Sequence, residues 1–140
     1  LPPAAFVESW TEVKGQWFVS LEGGAVLKMA GRKIFVVAGQ DAWAWKGGFD
    51  AITTGKAELL LPRAVPMAPM STAETDADGR FVLKLPDDFP ARIIAIFSRI
   101  RGDKNENIYW EIDAKPKATG SEFFLNQNNI TKISESSKIQ

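Results

Sequence analysis

The chain predicts an all-β domain, an antiparallel β-sandwich of about seven strands, from three observations. The run Thr75-Asp76-Ala77-Asp78-Gly79-Arg80 reads as a tight turn, because Asp side chains bond backbone amides two residues on and Gly79 tolerates a positive φ. It feeds Phe81-Val82-Leu83-Lys84-Leu85-Pro86, where Phe81, Leu83 and Leu85 share one face and Val82 and Lys84 the other, the period of a strand with one face on a core. Comparable strand patterns recur along the chain, whereas helical periodicity is scarce.

Taken in order, residues 1–14 form a lead-in, with Pro2 and Pro3 in its first part, and the sandwich is expected over 15–130. Gln16 to Leu21 sets Trp17, Val19 and Leu21 on one face, and Gly23 and Gly24 allow the next turn. Lys33 to Ala38 is nearly all apolar, as in a strand covered on both faces, and Gly31 and Gly39 bracket it. Residues 40–70 break the rhythm as a loop or short-helix excursion. Asp41 is placed to cap a short helix through Trp43 and Trp45, which Gly47 and Gly48 should stop within about two turns. Lys56 to Leu61 is an optional extra strand, and Pro62, Pro66 and Pro69 mark an extended connector.

After the Asp76 turn and its strand, Arg92 to Arg99 is apolar on both faces and is placed centrally. The charged loop Arg101 to Glu106 leads to Asn107–Asp113, where Ile108, Trp110 and Ile112 alternate with Tyr109, Glu111 and Asp113 as a polar face. Glu122 to Leu125 is a short closing strand, and 131–140 reads as a polar, frayed tail.

Composition limits the chemistry. The 140 residues suit one domain, and 17 basic against 17 acidic residues leave no electrostatic footprint of a nucleic-acid binder. Apolar runs are too short to insert in a membrane. With no cysteine and no histidine, thiolate and imidazole catalysis are excluded, and catalysis would have to use Asp, Glu, Lys, Ser or Tyr. The first residue is Leu1, which is read as a form whose upstream segment was removed, so a targeting signal would lie outside the chain.

The run from Thr75 to Pro86, together with Gly15-Gln16-Trp17-Phe18-Val19, Leu27-Lys28-Met29-Ala30-Gly31 and Ile34-Phe35-Val36-Val37, resembles the carboxypeptidase regulatory-like domains, transthyretin-like β-sandwiches of exported bacterial proteins. Tyr109-Trp110 and Phe124-Leu125-Asn126, with Asn128 and Asn129, extend the similarity to roughly Gly15–Ile130. The resemblance implies a module without catalysis or cofactor, located in the periplasm, cell envelope or extracellular space. No ligand-binding residue carries over from it.

Each candidate site has a plain structural alternative. Asp76, Asp78 and Gly79 contain part of a calcium-loop pattern, but the remaining ligands are missing and the reading is a structural turn, with no metal site. Thr53-Thr54-Gly55-Lys56 fails as a phosphate loop, since Ala57 follows the lysine and Asp50 stands where a glycine is required. Asp87 with Asp88, or Glu111 with Asp113, would serve a carboxylate-based hydrolase only at a separation that sequence does not give. Asn129-Ile130-Thr131 is a glycosylation sequon, which matters only in a eukaryotic secretory chain. Trp17 and Trp110 are read as core, and Trp10 as an anchor for the N-terminal segment. Trp43 and Trp45 are the candidate ligand-binding residues, although residues two apart share no surface of a regular helix or strand, so at least one ring is expected to be buried.

The expected function is therefore a non-enzymatic structural or interaction module of an exported bacterial protein, with a protein or cell-envelope polysaccharide as partner. A carbohydrate-binding module using exposed tryptophans is the alternative, and a carboxylate-based hydrolase the third.

Overall fold

The computed structural model describes residues 3–20, 22–53, 68–115 and 122–137. Two sheets face each other across one core. The first is built on β1 (Trp10–Ser20), which pairs antiparallel with β2 (Val26–Lys28) and β5 (Arg80–Pro86) and parallel with β8 (Glu122–Leu125). The second has the order β4-β3-β6-β7-β9, comprising Ser71–Glu74, Lys33–Ala38, Ala91–Arg101, Lys104–Asp113 and Lys132–Ser137, all antiparallel. The expected sandwich is present, with nine strands among the described residues and one parallel pair.

Alternation builds the core. Val13, Trp17 and Val19 on β1 and Phe81, Leu83 and Leu85 on β5 face inward from the first sheet. Ile34 and Val36, Ile93 and Ala95, and Ile108 and Trp110 meet them from the second. Trp17 and Trp110 touch edge to face between the sheets, with ring centroids 5.4 Å apart, the arrangement the ring quadrupoles favour.

Several boundaries differ from the sequence expectation. Strand β1 begins at Trp10, so 10–14 is strand and not lead-in. The expected tail from 131 contains β9, which pairs with β7 from Tyr109↔Lys132 to Lys104↔Ser137. The expected loop Arg101 to Glu106 shrinks to a turn at Gly102 and Asp103, because β6 and β7 pair as far as Arg101↔Lys104. The optional strand at Lys56 to Leu61, most of the proline connector and the Gly55-Lys56 pair lie outside the described residues.

The excursion forms α1 (Ala42–Thr53), which runs through both Gly47 and Gly48 instead of stopping there. The two glycines cost about 1 kcal/mol each relative to alanine. Packing outweighs that cost: Ala42 and Trp45 close a second cluster with Val37, Ile94 and Tyr109 on the outer face of the second sheet. Tyr109, expected on a polar face, is fully buried there. Asp41 sits in the short 3-10 turn Gly39–Asp41 that leads into α1.

Candidate functional site: the open face of the first sheet

The outer face of the first sheet carries no helix among the described residues, and the register of its strands arranges its side chains in rungs. On β1 the outward positions are Glu12, Lys14 and Gln16. Across to β5 they face Lys84, Val82 and Arg80, and across to β8 Lys14 faces Glu122 while Gln16 faces Phe124. A shallow groove of about 760 Å³ lies over the Lys14 and Gln16 rungs, with Glu74 of β4 and Asp76 on its rim. Phe124 is 44% exposed and Val82 49% exposed, so the groove offers apolar as well as charged and amide surface. Phe18 meets Phe124 edge to face at 6.0 Å and so holds the ring in place.

Gly15 makes this floor possible. A Cβ there would come within 2.5 Å of the Phe81 ring and 2.6 Å of the Phe123 carbonyl oxygen, where Phe81 and Phe123 pack edge to face at 5.4 Å. The bare backbone lets β5 and β8 close on β1 from both sides.

The Asp76 turn braces one end of the groove. The Asp76 carboxylate accepts the amides of Asp78 at 2.8 Å and Arg80 at 2.9 Å, and these amides, Arg80's first, hold its pKa below the ordinary 3.8. Gly79 has φ 76°, and an added Cβ would lie 2.5 Å from the Trp17 carbonyl oxygen. The Trp17 amide donates to the Gly79 carbonyl at 2.9 Å, and Gln16 Nε2 donates to the Asp78 carbonyl at 2.8 Å. Asp78 also pairs with Lys28 at 3.4 Å on the surface. Thr75, buried just before the turn, donates to the Met29 carbonyl and accepts the Arg32 amide, locking the β2–β3 turn beside it. These contacts account for Asp76, Asp78 and Gly79 as a structural turn, and among the described residues no cluster of three acidic side chains is placed to hold a metal.

The two candidate tryptophans are not brought together. Trp43 is 71% exposed on α1, whereas Trp45 is fully buried against Phe35, with ring centroids 4.9 Å apart. Trp45 therefore has no surface for a ligand, and a paired stacking platform does not form. Neither carboxylate pair lines the groove. Thr11 donates to Asp87, which with Ser9 lowers its pKa, the reverse of what a general acid needs. Glu111 accepts the Tyr109 hydroxyl at 2.7 Å. The sequon asparagine is engaged as well: Asn129 Oδ1 accepts the Asn126 amide and its Nδ2 donates to the Phe124 carbonyl.

Glu12, Lys14, Gln16 and Phe124 were not singled out as site residues from the sequence. The available signal was the alternation of β1, which becomes readable only when the strand is started at Trp10.

No family model matches the chain, and no curated protein matches it in sequence. Among solved structures it is similar to a Pseudomonas aeruginosa protein described as a "putative carbohydrate binding protein", at 18% identity and a TM-score of 0.53, over 88% of this chain and 93% of that one. That similarity shows a shared β-sandwich fold across nearly the whole chain.

Proposed function

We propose that the chain is a non-catalytic binding module of an exported bacterial protein, and that it takes a carbohydrate on the open face of the first sheet. The observation that carries this reading is the groove itself: an exposed, braced Phe124 beside rungs of amide, ammonium, guanidinium and carboxylate groups. An aromatic ring takes the C–H face of a sugar, and the polar side chains supply donors and acceptors for its hydroxyls. The description of the structural neighbour supports the ligand class. The resemblance to carboxypeptidase regulatory-like domains supports the exported location and the lack of catalysis; the absence of histidine and cysteine and the lowered pKa of Asp87 bear only on the latter.

The test is retention of the purified domain in affinity electrophoresis through a broad polysaccharide panel. Retention by at least one glycan, lost in Phe124→Ala and Gln16→Ala but kept in Trp43→Ala, is the expected result. No retention on any glycan rejects the reading. A protein partner docking on α1 is the second reading, favoured by the 71% exposure of Trp43. A pull-down partner whose binding is lost in Trp43→Ala alone would move the function there.

A further inference from the structure

Resting on the carbohydrate reading, we infer that the ligand is an extended neutral glycan lying along β1, bound across two adjoining depressions, and not a single sugar or chain end. Beside the groove is a second open depression of about 490 Å³, lined by Trp10, Glu12, Met70, Ser71 and Lys84. It shares β1 and β5 with the first, and the register makes the two continuous: Glu12↔Lys84 is followed by Lys14↔Val82 and then Gln16↔Arg80. At about 3.3 Å per residue, Trp10 to Gln16 spans roughly 20 Å, several times the length of one pyranose ring. Among the described residues no side chain of β1 or β5 separates the two depressions, so one chain can lie across both.

The ends of this track are aromatic. Trp10 is half-buried, packed partly on the main core while also lining the second depression, so its ring is held before any ligand arrives. A pre-positioned ring loses little freedom on binding. Phe124 stands at the other end, held by Phe18.

Charge specifies a neutral ligand. Lys84 faces Glu12 and Lys14 faces Glu122 in register, and Arg80 lies beside Asp76. The track thus alternates in sign, with Glu74 adding a carboxylate at the rim. Hydroxyls both donate and accept and suit such a surface, whereas a polyanion would meet a carboxylate beside each cation.

Isothermal titration of the folded domain with cello- and chito-oligosaccharides, from disaccharide to hexasaccharide, tests this, with alginate oligomers of matched length as polyanions. Affinity should rise at least tenfold from disaccharide to hexasaccharide in a neutral series. Trp10→Ala should return the hexasaccharide to the affinity of a shorter ligand. Lys84→Ala, at an exposed position of β5, should weaken the hexasaccharide as well. Equal affinity at all lengths, still lost in Phe124→Ala, overturns the extended ligand while the carbohydrate reading stands. Tighter binding of alginate than of the neutral series overturns the neutral class. Absence of binding to every oligomer, alongside no retention in the polysaccharide panel, removes the carbohydrate reading and this inference with it.

Discussion

On the first sheet the outward positions of β5 are Arg80, Val82 and Lys84, all exposed, whereas on the second sheet the outward positions of β3 and β6 include Val37 and Ile94, both fully buried. Among the described residues no helix covers the first face, which is mixed polar and apolar, whereas the second is roofed by α1 through Ala42 and Trp45. A strand apolar on both faces needs cover on both, and the excursion after β3 supplies it. A strand that alternates leaves one face free, and that free face is where side chains are available for a ligand. The sandwich thus differs between its sheets, with stability invested on one outer face and the proposed binding surface on the other.

The largest expected effect breaks the roof. Trp45→Ala removes the largest side chain of the second cluster and should cost about 3–5 kcal/mol in urea denaturation. Trp43→Ala, two residues away and exposed, should change stability by less than about 0.5 kcal/mol. Trp45→Phe should recover most of the loss, because it keeps a ring against Phe35 and removes an indole N–H that has no hydrogen-bond partner among the described residues. Equal midpoints for Trp45→Ala and Trp43→Ala would mean that α1 does not stabilise the second sheet.

The next effect lies on the open sheet. Gly79→Val should cost more than about 2 kcal/mol, since a β-branched residue is strained at φ 76° and its Cβ would meet the Trp17 carbonyl oxygen at 2.5 Å. Gly79→Ala should be destabilising for the same contact, because the clash is with backbone and not with a flexible side chain. An unchanged midpoint in Gly79→Ala would show that β1 and the turn separate without loss, and that the open sheet is not braced there.

The core of this picture was legible in sequence, and the reasons for the exceptions are physical. β3 was read to its boundaries and β6 nearly so because each is an apolar run covered on both faces, and β5 nearly so because its inward residues recur at period two. β9 was missed because Lys132-Ile133-Ser134-Glu135-Ser136-Ser137 is polar and joins through backbone pairing with β7, which leaves no apolar rhythm. β2 and β4 are too short to show a period. The direction of β8 was not readable, since alternation is the same in a parallel and an antiparallel strand. The helix was read too short because local propensity counts Gly47 and Gly48 against it, while the cover that Val37 and Ile94 require is a tertiary demand. The separation of Trp43 from Trp45 was legible from spacing alone. The rungs over the groove were not, because they depend on register between three strands.

The smallest expected effect is in acid and sharpens the contrast between the sheets. Asp76 leads into β5 and Asp87 follows it, and both have pKa values lowered below 3.8, the first by the Arg80 and Asp78 amides, the second by the Thr11 and Ser9 hydroxyls. With a depressed folded pKa, the unfolded chain binds more protons through this range, so stability falls as pH falls. Their contribution is fully present above pH 3.8 and is lost as pH drops through each folded value. The lead cause in both cases is a hydrogen bond and not an exposed ion pair, so added salt should leave the acid transition nearly in place. Asp76→Asn keeps an oxygen for the two turn amides but cannot titrate; with Asp87→Asn it should flatten the fall of the urea midpoint between neutral pH and pH 2.5. Hydrogen exchange at the low end should open β5 amides before those of β3 and β6. Simultaneous opening of both sheets would show that the open face and the roofed face unfold as one unit, with no separate acid sensitivity at β5.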